Sequence, residues 1–209
     1  MKVPLGAFAL LAVLLTRDSA AAEHVELDAS LGFGIPAGAL ERGSRLSDTT
    51  FGMVPFEVGG AWFVVRHVAL RAAASYGVGI PKLCASAGDC GASLGHDVAV
   101  DLGARVAPFE LAAIAPRIDA GIGWEWYSTS LSDKGVVSAR SYSGPTFLAL
   151  TLSVPIRVSS RLAIGPALGL RAGVFTSSAR TTPGWTESSL DGTVIHAWLR
   201  ASVDARFTF

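Results

Sequence analysis

Four histidines are the side chains of this sequence best suited to acid–base chemistry. A catalytic site would need one of them beside a nucleophile or an activated water and an orienting group. The residues two positions after His24, His67, His96 and His196 are glutamate, alanine, valine and tryptophan, so no histidine has a serine at that spacing. His96 and Asp97 are adjacent, but neighbouring residues of a strand point to opposite faces. We therefore predict no catalytic residues.

Two cysteines, Cys84 and Cys90, lie close together in a polar stretch. In an oxidising compartment, this proximity predicts a disulfide. A metal site is the alternative, but only His96 is near in sequence, and no third cysteine has ligand spacing. We expect the disulfide, no metal and no cofactor.

The final segment of the chain alternates between apolar and polar side chains, which predicts a β-strand. One face carries Ile195, Ala197, Leu199, Ala201, Val203, Ala205, Phe207 and Phe209. The other face is polar except for Trp198. The same alternation recurs along the chain and predicts eight strands, at residues 25–35, 56–64, 68–78, 98–106, 114–126, 148–156, 162–174 and 195–209.

None of these apolar faces contains Asp, Glu, Lys or Arg. A soluble sandwich or barrel would carry a polar outer face, whereas an arginine at the middle of a bilayer costs about 2–4 kcal/mol. The pattern favours an all-β protein, an eight-stranded antiparallel transmembrane β-barrel with up-and-down topology. The formal net charge is zero, and no basic stripe indicates nucleic-acid binding.

The connections between the strands alternate in length. Short turns are predicted near residues 66–67, 108–111 and 158–160, and longer polar connections at residues 36–49, 81–96, 128–141 and 176–192. Outer-membrane barrels have short periplasmic turns and long external loops, so we expect both termini in the periplasm. Pro116, Pro155 and Pro166 lack a backbone N–H, and we expect a bulge or strand end at each.

Aromatic residues on the apolar faces agree with this orientation, because such rings prefer the membrane interfaces. One predicted girdle, near the long connections, contains Phe33, Tyr76, Trp124 and Trp126; the other, near the short turns, contains Trp62, Phe207 and Phe209.

Residues 1–22 have the features of a secretory signal peptide. Lys2 is followed by an apolar stretch too short to span a bilayer, and Ala20, Ala21 and Ala22 form a small-residue cleavage site. Residues 23–209 are then the outer-membrane β-barrel domain.

A final strand that ends in an aromatic residue is typical of bacterial outer-membrane barrels, and we interpret Phe207 and Phe209 as an assembly signal. With its eight alternating segments, the chain resembles the small barrel family that includes the OmpA membrane domain and OmpX. The resemblance implies a monomer in the Gram-negative outer membrane. Its expected partners are outer-membrane lipids, lipopolysaccharide and the barrel assembly machinery, with no nucleic acid.

The polar faces predict a charged interior. An eight-stranded barrel encloses a lumen just wide enough for side chains to fill, so acids and bases should meet there. The predicted lumen ion-pair network comprises Glu26, Asp28, Glu57, Arg71, Asp101, Arg105, Arg117, Asp119, Arg171, Arg200, Asp204 and Arg206. Asp97, Glu125 and Arg161 are also expected to face inward. Arg200 is expected to pair with Glu26 or Asp28. The alternative to a plug of ion pairs is a gated ion path or proton relay.

Inward-facing glycines occur in pairs near the ends of three strands, at Gly32 and Gly34, Gly77 and Gly79, and Gly121 and Gly123. They either make room for bulky neighbours such as Trp198, Phe147 and Tyr127, or open a vestibule. The sequence thus favours a non-enzymatic, porin-like membrane protein with a structural or surface-interaction role and slow passage of small solutes. The alternatives are binding or transport of a small hydrophobic ligand through the upper lumen, and a lipid-modifying enzyme.

Overall fold

The computed structural model describes residues 24–81, 94–109, 113–133, 136–181, 186–190 and 194–209. These residues form a helix, α1 (Leu46–Thr49), and a set of strands. In chain order the strands are β1 (Val25–Glu41), β2 (Ser44–Arg45), β3 (Thr50–Val65), β4 (Val68–Pro81), β5 (Gly95–Val106), β6 (Arg117–Asp133), β7 (Val136–Ser153), β8 (Ile156–Arg157), β9 (Leu162–Val174), β10 (Ser177–Thr181), β11 (Thr186–Ser189) and β12 (Ile195–Thr208). The predicted signal peptide and the cysteine pair, Cys84 and Cys90, lie outside the described residues.

Eight of these strands form a closed antiparallel barrel, as predicted. Neighbours in the barrel follow the order β1, β3, β4, β5, β6, β7, β9 and β12. The ring closes where β12 pairs with β1, from Glu26 opposite Thr208 to Gly38 opposite His196. Closure leaves no unpaired edge among these eight strands, so each strand of the wall is hydrogen-bonded to a neighbour on both sides.

The outer surface of the barrel is apolar. Leu102 is 67% exposed and Leu168 is 65% exposed, although both lie within strands. The rings of Trp124 and Trp126 are exposed at one end of the wall, and Trp62 is exposed near the other. A contiguous apolar surface of this extent is what a lipid environment would cover. Among the described helices, none is long and apolar enough to cross a membrane.

The two ends of the barrel differ in their connections. We call the end with residues 66–67, 107–109, 113–116 and 154–161 the short-turn end, and the opposite one the long-connection end. At the long-connection end, residues 36–49 are more ordered than a polar loop would be: β1 continues to Glu41, and α1 packs Leu46 into the barrel. The backbone N–H of Arg45 donates to Asp48, which holds the start of the helix.

The prediction of a loop at residues 128–141 is wrong. Strands β6 and β7 continue as a hairpin, from Tyr127 opposite Tyr142 to Asp133 opposite Val136. The polar composition of this segment suggested a loop. Strands beyond a membrane need no apolar face, however, and backbone hydrogen bonds are enough to continue them. Part of the predicted connection at residues 176–192 likewise forms β10, which pairs with β7, and β11.

Phe147 does not face the lumen as predicted. A register shift between Thr146 and Leu148 against β9 inserts one residue, which reverses the alternation. Tyr142 and Thr146 point inward before the shift, whereas Phe147 is half exposed on the outer surface.

The predicted bulge or strand end is found at two of the three prolines, Pro116 and Pro155, but not at Pro166. Pro116 lies just before β6 and Pro155 lies between β7 and β8, so both mark strand ends as expected. Pro166 lies inside β9 opposite Val203, and its carbonyl accepts a hydrogen bond from the Val154 N–H at 3.0 Å. Arg161 is not inward-facing, because it lies in the exposed turn before β9.

Candidate functional site

Arg105 is the centre of the charged network inside the barrel. Its side chain, carried by β5, is fully buried. Its Nε and Nη2 atoms donate to the two carboxylate oxygens of Asp119 at 2.7 and 2.9 Å. The same guanidinium reaches across the lumen to Glu26 at 3.1 Å and Asp28 at 3.0 Å on β1. A planar donor fork suits this use, since one arginine can satisfy several carboxylates.

Arg71 connects this cluster to the middle of the lumen. Its Nη2 atom lies 3.1 Å from Asp28 and 2.7 Å from Glu57, and its Nε atom lies 3.2 Å from Asp119. Glu57 is therefore shared between Arg71 and Arg200, whose Nη2 atom is 2.8 Å away. Arg71 thus connects carboxylates of β1, β3 and β6.

Arg171 on β9 is completely buried and forms a second cluster of contacts in the lumen. Its Nη2 atom donates to Asp101 at 2.5 Å and its Nη1 atom donates to Ser75 at 2.9 Å. Asp97 also lies 3.7 Å from this guanidinium.

At the short-turn end, Arg117 pairs with Glu26 at 3.2 Å. Arg206 there donates to Asp204 at 2.8 Å and to Ser153 at 2.7 Å.

The structure therefore brings every residue of the predicted network into the lumen and into contact with an oppositely charged side chain. It differs from the sequence-based expectation for Arg200, whose partner is Glu57 and not Glu26 or Asp28. Gly34 lies opposite Arg200 on β1 and has no side chain. The long Arg200 side chain therefore extends past β1 and reaches Glu57 on β3.

Between this network and the long-connection end, the Glu125 carboxylate contacts two side chains of β12. The indole N–H of Trp198 donates to Glu125 Oε1 at 2.9 Å, and His196 Nε2 lies 3.1 Å from Oε2. His196 also stacks on Phe175, with ring centroids 3.8 Å apart. All of these side chains are buried. The Glu125 carboxylate thus fixes the orientation of the His196 imidazole and the Trp198 indole.

A cluster of apolar and aromatic side chains lies beyond Glu125, towards the long-connection end. Its members are Leu40, Leu46, Met53, Tyr127, Tyr142, Phe175 and Trp198; we call it the apolar plug. Sequence reasoning singled out only Tyr127 and Trp198 among them. It missed Leu40, Leu46, Met53, Tyr142 and Phe175, because they lie in or beside segments interpreted as loops. A buried α1 residue could have been suspected from an isolated leucine between polar neighbours.

Two of the paired glycines, Gly34 and Gly77, make room for a side chain. A β-carbon on Gly77 would lie 2.6 Å from the sulfur of Met53, and one on Gly34 would lie 3.1 Å from Met53 Cγ. The space at these two positions is thus occupied by a methionine that the sequence did not single out. A β-carbon on Gly32 or Gly123 would clash with the neighbouring strand, at 2.3 and 2.0 Å from backbone oxygens.

Two cavities in the charged part of the lumen are very small. One, bordered by Asp28, Glu57 and Arg200, has a volume of about 20 Å³. The other, bordered by Asp101, Asp119 and Arg200, has a volume of about 10 Å³. A single water needs about 10–15 Å³ measured in this way. Each therefore has room for about one water.

Two of the remaining histidines contact aromatic side chains. His96 lies on the outer surface and its Nδ1 atom is 2.8 Å from the Tyr76 hydroxyl. His24 stacks on Phe63 at 4.1 Å. Within the part of the chain that the structure describes, no three His, Cys, Asp or Glu side chains gather as metal ligands. Phe207 and Phe209 are exposed on the outer surface, with ring centroids 5.0 Å apart.

Solved structures of outer-membrane proteins share the fold of this eight-stranded barrel. The chain is similar to a major outer membrane protein of Thermus thermophilus, with a TM-score of 0.58, 14% identity, and 90% of this chain and 100% of that chain covered. It is also similar to the outer membrane protein OprG of Pseudomonas aeruginosa, with a TM-score of 0.58, 10% identity, and coverage of 90% and 96%. No protein-family model and no curated protein matches the sequence. At these identities the similarity establishes the fold.

The Arg200–Glu57 pair permits a direct test of the network. Arg200→Ala should destabilise the barrel, because it leaves Glu57 with one fewer partner in a buried site. The Arg200→Ala/Glu57→Gln double variant should lose less than the sum of the two single variants, by about 0.5–3 kcal/mol. Urea unfolding in phospholipid vesicles, followed by tryptophan fluorescence, measures the coupling. Arg200→Ala with Asp204→Asn is the control pair, and it should be closer to additive because the structure gives no direct contact between the two.

Proposed function

We propose that the protein is a non-enzymatic integral outer-membrane β-barrel with a closed lumen and a structural or surface-interaction role. The observation that carries this proposal is the continuity of the filling, from Arg206 at the short-turn end, through Arg105 and Arg171, to the apolar plug. The proposal includes location in the outer membrane as a monomer, with both termini on the periplasmic side. Phe207 and Phe209 then form an aromatic pair for the barrel assembly machinery.

Electrostatics supports a closed lumen over an ion path. A permeant ion would have to separate pairs such as Arg105–Asp119 and Arg171–Asp101, which make hydrogen bonds of 2.5–2.9 Å while buried. Separating one buried partner from the other costs several kcal/mol. Passage of small solutes through the lumen would therefore be slow.

The two alternatives have less support from the geometry. Binding of a hydrophobic ligand in the upper lumen would require Met53 and the aromatic rings around it to leave positions that are already packed. A lipid-modifying enzyme would need an activated nucleophile. His96 is instead paired with a phenol, and His196 with a carboxylate and a phenyl ring. Outer-membrane lipids and lipopolysaccharide are thus proposed as the surroundings of the barrel.

Conductance measurements test the closed lumen. The protein, inserted into planar bilayers, is expected to give no stable single-channel currents. A variant in which Arg105, Arg171 and Arg200 are all replaced by alanine removes much of the filling and should conduct if it still folds. Heat-modifiable migration on gels identifies folded protein in both samples. Stable currents from the unmodified protein whose ion preference changes in Arg200→Ala would contradict the proposal and favour an ion path.

A further inference from the structure

A cavity opens at the short-turn end of the barrel, away from the apolar plug. Its volume is about 340 Å³, which is within the range of small-molecule sites. It lies between the start of β1, the segment before β6, the turn between β8 and β9, and the end of β12. We call it the short-turn pocket.

The described lining of the short-turn pocket is strongly basic. It contains four arginines and a single acid, Glu26; the arginines are Arg117, Arg157, Arg161 and Arg206. Glu26 already receives hydrogen bonds from Arg105 at 3.1 Å and from Arg117 at 3.2 Å. The positive charge of the exposed pair, Arg157 and Arg161, is therefore not balanced within this lining.

Arg206 supplies a second, independent observation. It is only 3% exposed, yet its Nε and Nη1 atoms make no hydrogen bond to any described residue. Its Nη2 atom alone serves Asp204 and Ser153. Buried guanidinium N–H groups without an acceptor are costly, and an anion in the pocket could provide that acceptor after a small side-chain rotation.

We propose that the short-turn pocket binds the phosphate group of a soluble phosphate monoester. Arg157, Arg161 and Arg206 would contact the anion. Arginine forks match phosphate oxygens in a bidentate way, and a phosphate monoester has close to two negative charges at neutral pH. Hydroxyl groups of Ser160 and Thr208 also border the pocket and can bind an attached polar group. The volume exceeds that of a bare ion, which is why a monoester is preferred to inorganic phosphate.

Binding can be measured by calorimetry on the refolded protein in detergent micelles, with glycerol phosphate as the probe. We expect saturable binding that weakens about tenfold or more, equivalent to at least about 1.4 kcal/mol, in the Arg157→Gln/Arg161→Gln variant. Arg157 ends the short strand β8, Arg161 lies in the turn that follows, and both side chains are exposed, so this variant should fold. Arg66→Gln is the matched control: Arg66 is exposed in another turn at the same end and does not border the pocket. Its affinity should remain within about twofold, the change expected from a distant charge.

A second variant, Arg206→Lys, keeps the charge and removes the donor fork, and it should also weaken binding. Its unfolding midpoint is measured alongside, so that loss of fold is not mistaken for loss of the site. Absence of saturable binding, or an equal loss in Arg66→Gln, would overturn the proposal. Binding of short-chain phosphatidic acid without binding of glycerol phosphate would also overturn it, because the ligand would then be a lipid headgroup.

Discussion

Replacing Arg105 with leucine is expected to lower the free energy of unfolding of the barrel by about 3–5 kcal/mol, the usual cost of removing one partner from a buried ion pair. The side chain is fully buried and serves three carboxylates, those of Glu26, Asp28 and Asp119. Its loss leaves their negative charges close together in a lumen with space for very little water. Urea unfolding in vesicles, followed by tryptophan fluorescence, measures the effect.

Two companion variants distinguish the network from a general loss of charge. Arg161→Leu removes an exposed arginine from a turn at the same end and should change stability by less than about 0.5 kcal/mol. Adding Asp119→Asn to Arg105→Leu should recover part of the loss, because one of the stranded charges is then neutral. A cost below about 1 kcal/mol for Arg105→Leu, with no recovery in the double variant, would contradict a network of buried pairs.

Leu168→Arg is expected to destabilise the barrel by about 2–4 kcal/mol when it is folded in a bilayer. Leu168 lies in the middle of β9, points outward and is 65% exposed. In a membrane this surface contacts hydrocarbon, where a guanidinium loses its hydration. Leu102→Arg on β5, at 67% exposure, should behave in the same way.

Val158→Arg is the matched control for Leu168→Arg. Val158 is similarly exposed, at 63%, but it lies in the turn at the short-turn end. An arginine there should cost about 0–1 kcal/mol, as at a membrane interface. Comparable losses for Val158→Arg and Leu168→Arg in vesicles would mean that the outer surface is not the lipid-facing surface.

The barrel wall could be predicted from sequence because lipid on one side and a charged lumen on the other impose strict alternation on each strand. Strand β12 is the clearest case: Leu199 and Val203 lie outside, and Arg200 and Asp204 lie inside. The same logic identified the charged residues of the lumen. Phe147 was misplaced because a bulge shifts the alternation by one residue, and a single sequence does not mark where a bulge occurs.

The pairing within the lumen was harder to predict than its membership. Arg200 on β12 contacts Glu57 because its long side chain reaches past β1 to β3. Alternation specifies only the side of the wall on which a residue lies. The apolar plug escaped prediction for another reason. Leu40 and Met53 lie on β1 and β3 beyond the predicted strands, and Leu46 lies on α1. Neither lipid contact nor charge alternation governs the residue type in these segments.

The seam between β1 and β12 has a consequence for the rate at which this protein folds and unfolds. The seam pairs residues from the two ends of the described chain, such as Glu26 and Thr208. Contacts inside the barrel also join distant residues, with 79 positions between Arg105 and Glu26 and 143 between Arg200 and Glu57. Such contacts cannot form until distant strands have been brought together, which makes folding slow. Water must leave the interior as the seam closes, and it must return before the seam can open. The folded barrel should therefore persist kinetically, with a lifetime set by the barrier to rehydrating its interior as well as by its equilibrium stability.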